Sequence, residues 1–374
     1  MSWDLAAIRE TRRSAGLWRE LRTLETAPGM MVEWEGRRLI NFASNDYLGL
    51  KSSPALAAAL KEGVDLYGAG SGASRLVSGS LSPHSDFESA LASFKHTESA
   101  ITFTSGFAAA LGTLPALVGG GDTILLDKLS HASLVDAARL SGATLRVFPH
   151  NHLGKLEKLL ETASGRVLIV TEAIFSMDGD ACALAEIIAL KERFGAWLLL
   201  DEAHSVGVLG PQGRGLAAAL GLESQIEIHM GTLSKSFGLS GGYIAASRLV
   251  VEHLINHARS LIYSTAPPPC LAHAALAALN IIAGEEGESR RQCLRQHVQQ
   301  LMPDKPMVSA ILPKIIGDEK AALEASARLR ELGFLIPAIR YPTVAKGSAR
   351  LRITPTAGHS AEQVQRLIAA LQQL

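Results

Sequence analysis

The stretch AWLLLDEAH, residues 196–204, runs an unbroken apolar segment into Asp201 and His204. So short an apolar run suits a strand buried on both faces of a parallel sheet. On either side the pattern repeats: ITFTS (101–105), DTILLD (122–127), TLRVF (144–148), RVLIVTEA (166–173), EIHMGTL (227–233) and YIAAS (243–247) alternate with helical tracts. This alternation predicts βαβ units, hence an α/β fold with a mostly parallel sheet. Ligands of such sheets sit beyond the carboxyl ends of the strands, so the polar residues that close these runs are the chemical candidates.

The flanks read differently. From Met1 to about Ile40 the chain is arginine-rich and helical in pattern, with a turn at Pro28 and Gly29 into the hairpin MMVEWEGRRLINF. Ser53 before Pro54 and Ser82 before Pro83 predict two helix starts. Beyond Pro267, Pro268 and Pro269 an alanine- and leucine-rich helical tract reaches about residue 302; a strand, a helix from Glu319 to Leu332, strands FLIPAIRYPTV and RLRIT, and a helix capped by Ser360 and Gln363 follow. The expected organisation is an N-terminal arm (1–46), a large domain (47–283) and a small α+β C-terminal domain (284–374).

Composition narrows the functions. Among 374 residues, 36 lysines and arginines balance 36 aspartates and glutamates, leaving no net field for nucleic acid or an anionic membrane. Apolar residues at 47% against 19% charged exclude a disordered chain. Cys182, Cys270 and Cys293 show neither disulfide nor zinc-ligand spacing, so no metal is expected. The charged start MSWDLAAIRETRR lacks the apolar core of a signal peptide, and the expectation is a chain beginning at Met1 in a reducing cytoplasm. The longest charge-free stretch, Ser99 to Gly121, is interrupted by Gly106, Gly112 and Pro115 and reads as a strand feeding a helix.

Asp201 and His204 alone would serve as a helix cap and a surface histidine, and Lys235, just after EIHMGTL, would ordinarily be solvated. Together they match what pyridoxal phosphate requires: a lysine for the aldehyde and an aspartate that keeps the ring nitrogen protonated. The run ITFTSGFAAA supplies a phosphate anchor at Ser105, Gly106 and Phe107, where a strand meets a helix N-terminus. The loop GAGSGASRLVSG (68–79) has no preceding strand and no GxGxxG, so a dinucleotide site is not supported. His131, in DKLSHASL, follows DTILLD and could stack on a pyridine face.

NFASNDYLGL, GSGASRLVSG, TSGFAAA, KLSHASL, TEAIFSMDGD, LLLDEAHSVGVLG, GTLSKSFG, LIYST and ARLRIT occur in the order and at the spacings of the α-oxoamine synthases. The whole chain resembles this family of pyridoxal 5'-phosphate enzymes, which have the aspartate-aminotransferase fold (fold type I). The resemblance implies that Lys235 carries the cofactor, Asp201 pairs with its ring nitrogen, His204 contacts the ring oxygen and His131 stacks on the ring. It places Gly106, Phe107 and Thr232 at the phosphate, with Ser264 and Thr265 reaching it from the partner of a homodimer. Asn45 and Arg352 match positions for the amino-acid carboxylate; Glu172 and Ser176 match active-site positions, and Arg19 and Arg340 lie near the acyl substrate. Ala110 departs from the family by replacing a frequent asparagine.

Within the family the chain is most similar to members that join L-alanine to a pimeloyl thioester, carried on coenzyme A or acyl carrier protein. Ser74 stands where 5-aminolevulinate synthases typically have threonine, which favours alanine over glycine. The alternatives are 5-aminolevulinate synthase, 2-amino-3-ketobutyrate ligase or serine palmitoyltransferase, which share the cofactor residues, and a plain aminotransferase. A cofactor-binding regulator would carry a DNA-binding module, and none is visible.

Overall fold

The computed structural model describes residues 3–15, 17–26, 29–304 and 306–374; Met1 and the expected turn residue Pro28 lie outside the described residues. The arginine-rich start forms one helix, Leu5–Ser14, capped by Asp4 Oδ1 accepting the Ala7 N–H at 2.9 Å. The helical expectation does not extend further, since residues 17–24 carry no regular structure. The helix buries none of its residues, and a short helix without packing has little to prolong it. The chain then forms β1 (Glu25–Thr26), β2 (Met31–Trp34) and β3 (Arg37–Asn41).

All seven apolar runs form strands: β4 (Ser99–Phe103), β5 (Thr123–Asp127), β6 (Thr144–Phe148), β7 (Val167–Glu172), β8 (Trp197–Asp201), β9 (Ile228–Thr232) and β10 (Gly242–Ala246). They build one sheet in the order β4-β10-β9-β8-β7-β5-β6, parallel except for β10, which runs antiparallel to both neighbours. β8 is central, with Leu198, Leu199 and Leu200 all fully buried. Leu199 joins the cluster beneath helix Gly106–Leu117, and Leu198 and Leu200 join the one beneath helix Leu184–Phe194. Alternation thus buries both faces, at about 1.5–3 kcal/mol for each leucine. Asp201 closes β8 opposite Glu172 of β7 and Met230 of β9, which aligns the carboxyl ends.

Both expected helix starts are present. Ser53 holds the cap position of helix Pro54–Tyr67 without a side-chain bond. Ser82 is the first residue of helix Ser82–Phe94; Leu81 holds the cap position and donates its N–H to His84 Nδ1 at 3.1 Å. The tract after the prolines divides at Gly284 into helices Pro269–Ala283 and Glu285–Leu301.

The remainder forms β11 (Leu312–Gly317), helix Glu319–Glu331, β12 (Phe334–Leu335), β13 (Ala338–Ile339), β14 (Ala349–Ile353) and helix Ala361–Leu371. Ser360 and Gln363 form the expected capping box. FLIPAIRYPTV is not one strand, because Pro337 has no N–H for a ladder and divides it in two. β11, β14 and β13 form a three-stranded sheet. β12 pairs in parallel with β3, so the N-terminal hairpin shares a sheet with a strand from far along the chain. Among the described residues, no helix is long and apolar enough to cross a membrane.

Candidate active site

The carboxyl edge of the central sheet gathers the candidates. Asp201 is buried, and its Oδ1 accepts the Ala203 N–H at 3.0 Å. Burial raises its carboxyl pKa, against the opposing charge of Lys235. Lys235 sits in the short β9–β10 connection, whose backbone is closed by Leu233 N–H to Gly241 O at 3.0 Å and Gly238 N–H to Lys235 O at 2.9 Å. Ser236 Oγ ties this loop to Val206 O at 2.7 Å. Burial lowers the Lys235 amine, with Asp201 and Glu172 opposing and Arg352 reinforcing the shift. Glu172, buried beside Asp201, is pushed up to about 8, chiefly by burial and then by the Asp201 charge. Its Oε1 accepts the His131 N–H at 2.5 Å.

His131 opens helix Ala132–Leu140, and its Nδ1 accepts the Ser133 N–H at 3.3 Å, which leaves the proton of the neutral ring on Nε2. His204 is buried and its pKa is driven well down, first by burial and then by the charges of Lys235 and Arg352. Its Nδ1 lies 2.5 Å from the Tyr47 hydroxyl, whose own pKa burial pushes up to about 12, so Tyr47 donates and the ring accepts. Tyr47 was missed as a site residue by sequence reasoning; the signal available was its place inside NFASNDYLGL, next to Asn45.

The two arginines of RLRIT separate. Arg352 Nε donates to Ser176 O at 2.7 Å and Nη1 to Thr354 Oγ1 at 3.0 Å, and its charge acts on Tyr47, His204 and Lys235. Arg350 pairs with Asp178 at 2.5 Å and bonds Met177 O at 3.2 Å, bracing the 176–178 turn. The far side of that turn is braced by His150, which lies between Asp127 (3.1 Å) and Asp180 (2.8 Å). Asp127 also accepts the Leu129 N–H at 2.9 Å, on the segment leading to His131.

Ser105 caps helix Gly106–Leu117, its Oγ accepting the Ala108 N–H at 3.0 Å. The Gly106 and Phe107 amides precede the first intrahelical bond and are available to an anion. Thr232 stands beside them: a Cβ built on Gly106 would lie 3.6 Å from Thr232 Cβ. A Cβ on Gly242 would lie 2.4 Å from Ser105 O, so glycine lets β10 press against this turn. Ala110 is fully buried on the core side of the helix.

The remaining candidates are spread over several segments. Ser74 and Thr265 form an antiparallel bridge, and Ser264 Oγ donates to Thr265 O at 3.3 Å. Asn45 Oδ1 is 3.4 Å from the Tyr47 hydroxyl. Arg19 is exposed on the N-terminal segment, and Arg340 follows β13.

An amine, a buried carboxylate beside it, a neutral histidine and free helix-terminal amides form a donor set that fits pyridoxal phosphate. The chain belongs to the aminotransferase class I and II family, whose model matches residues 37–371. Its relatives within that family are α-oxoamine synthases. It is 46% identical over 387 residues to the 8-amino-7-oxononanoate synthase of Herminiimonas arsenicoxydans, covering 100% of this chain and 98% of the relative. It is 44% identical to that of Geobacter sulfurreducens, with 99% and 97% covered. A solved serine palmitoyltransferase of S. paucimobilis, with bound PLP-myriocin aldimine, superposes with a TM-score of 0.93 at 29% identity, covering 99% and 96%. The 8-amino-7-oxononanoate synthase of Francisella tularensis gives 0.77 at 30% identity, covering 90% and 97%.

Proposed function

We infer that this chain is a pyridoxal-phosphate-dependent C-acyltransferase that condenses L-alanine with a pimeloyl thioester. The products are 8-amino-7-oxononanoate, carbon dioxide and the free thiol carrier, a step of biotin biosynthesis. Full-length similarity to curated 8-amino-7-oxononanoate synthases carries this reading, and the Lys235–Asp201–His204–Arg352 cluster supports it. When bound, pyridoxal phosphate supplies an aldehyde that captures the amino acid and a ring that withdraws electrons from its α-carbon.

Lys235 would hold the cofactor and then move the α-proton; its lowered pKa leaves more of the amine neutral and able to accept one. Asp201 would keep the ring nitrogen protonated, and the Ala203 N–H that its Oδ1 accepts works against burial in favour of the carboxylate form that this requires. His131 would cover one ring face, and the Tyr47–His204 pair would present a hydrogen-bonding edge to the ring oxygen. The Gly106 and Phe107 amides, with Thr232, would hold the phosphate. Arg352, already fixed by Ser176 and Thr354, would orient the alanine carboxylate.

Glu172 would set the position of His131 through its backbone N–H. Ser264 and Thr265 would complete a neighbour's phosphate site in a homodimer. Apolar side chains left exposed near these segments, among them Val77 (81%) and Tyr263 (72%), favour a second copy as their cover. Arg19 and Arg340 would face the acyl chain, and a cytoplasmic location would match the substrates. The test incubates purified protein with alanine, glycine or serine and a panel of acyl thioesters on coenzyme A or acyl carrier protein, following thiol and carbon dioxide. Fastest release with alanine and a pimeloyl thioester is expected; a preference for glycine or serine overturns the assignment.

A further inference from the structure

Directly behind Asp201 lies a set of buried charges that the reaction does not use. Glu202 and Lys95 have fully buried side chains and pair at 2.6 Å. The same Glu202 oxygen is 3.0 Å from His229 Nδ1, while His229 Nε2 is 3.1 Å from Glu223 O. The other Glu202 oxygen accepts the Ala217 N–H at 3.3 Å, and Lys95 Nζ also donates to Arg214 O at 2.5 Å. Burial alone would raise the Glu202 carboxyl, but the Lys95 charge and the His229 bond bring it down to about 2.

The surroundings are shaped around this carboxylate. Gly215 has φ +112, and a Cβ there would stand 2.3 Å from Glu202 Oε1. The Tyr243 ring crosses Gly231, where a Cβ would be 2.4 Å away. The buried Tyr243 hydroxyl has no partner among the described residues, and its pKa is raised by burial together with the Glu202 and Asp201 charges. Apolar side chains of similar volume would fill such a space at equal or lower cost, so stability alone does not account for the charges.

Their location does. Glu202 N–H donates to Met230 O at 2.8 Å, and Glu202 O accepts from Ser205 and Val206 N–H, both at 3.0 Å. Main chain and side chain of Glu202 therefore hold the 201–206 turn from both sides, with Asp201 before it and His204 within it. We propose that Glu202, gripped by Lys95 and His229, is a positioning residue that fixes the direction from which Asp201 and His204 meet the cofactor ring. The inference rests on the reading of Asp201 as the partner of the ring nitrogen.

The test compares wild-type protein, Asp201→Asn and the double variant Lys95→Met/Glu202→Gln, which removes both charges and keeps an amide side chain at residue 202 for Ala217 and His229. Melting of the apoprotein reports stability. Pyridoxal phosphate affinity and the pH titration of its bound visible absorbance report positioning. The folded double variant should bind the cofactor about 10-fold more weakly, the scale of loss for outer partners of a site ligand. Its titration midpoint should move by about one pH unit in the direction given by Asp201→Asn. A folded double variant with wild-type affinity and midpoint, while Asp201→Asn changes both, overturns the proposal. If Asp201→Asn changes neither, the reading of Asp201 falls and this inference falls with it. Should the double variant not fold, Glu202→Asp keeps the charge, shortens the reach by one methylene and gives the same two readouts with the same expectation.

Discussion

The His150 clamp makes a pH-dependent prediction with a definite sign. Burial alone would lower its pKa, but hydrogen bonds to Asp127 and Asp180 overcome this and raise it from 6.5 to about 10. A group whose folded pKa is raised stabilises fully below its unfolded value and loses that contribution as pH climbs through the folded value. A tenfold gain in proton affinity corresponds to about 1.4 kcal/mol, which makes the whole rise worth about 4–5 kcal/mol. The Asp180 side chain is 45% exposed, and solvent screening of that half reduces the expectation to about 2–4 kcal/mol. His150→Asn should therefore destabilise the apoprotein most below pH 6.5. The difference should shrink steadily on the alkaline side and fade near pH 10. Denaturant unfolding of both proteins at a series of pH values measures it. A wild-type advantage that stayed constant or grew toward alkaline pH would refute the ion-clamp reasoning.

Lys235→Ala should abolish turnover, and borohydride should no longer tether pyridoxal phosphate to the chain; undiminished tethering, read by mass spectrometry, would place the attachment elsewhere. Arg352→Leu should raise the alanine concentration needed for half-maximal rate and leave cofactor affinity intact. Arg350→Leu should instead cost about 1–3 kcal/mol of stability through its lost charged hydrogen bonds, with little change in alanine dependence; steady-state kinetics and melting would expose the reverse assignment. Ser74→Thr should reduce kcat/KM for alanine more than for glycine, by roughly 10-fold or more if the added methyl crowds the substrate, and equal losses would remove the steric argument.

The central sheet was legible because its strands are short apolar runs that end in polar residues, and Asp201 and Lys235 stand at or just beyond two of those ends. Residues whose meaning depends on a distant partner were not. Tyr47 becomes informative only when folding brings it to His204, and Glu202 only when Lys95 and His229 close around it. The pairing of β12 with β3 is likewise invisible locally, since two residues of strand carry no periodicity. Ser82 and Pro83 mark the start of their helix, but the group that serves the Leu81 amide there, the His84 ring, lies outside the usual capping types. Arg350 and Arg352 share a strand and a residue type; only the contacts of their guanidinium groups tell them apart.

The β9–β10 connection has one further consequence. Its backbone is stitched at Leu233, Lys235 and Gly238 and riveted to Val206 through Ser236. A Cβ on Gly238 would come within 2.5 Å of the Lys51 amide, so the turn is wedged against a neighbouring segment as well. Lys235 is thus an arm on a fixed pivot. Any travel of its amine between one task and the next must come from torsions of its own four-carbon stem, so the enzyme would need no hinge to change what this lysine does.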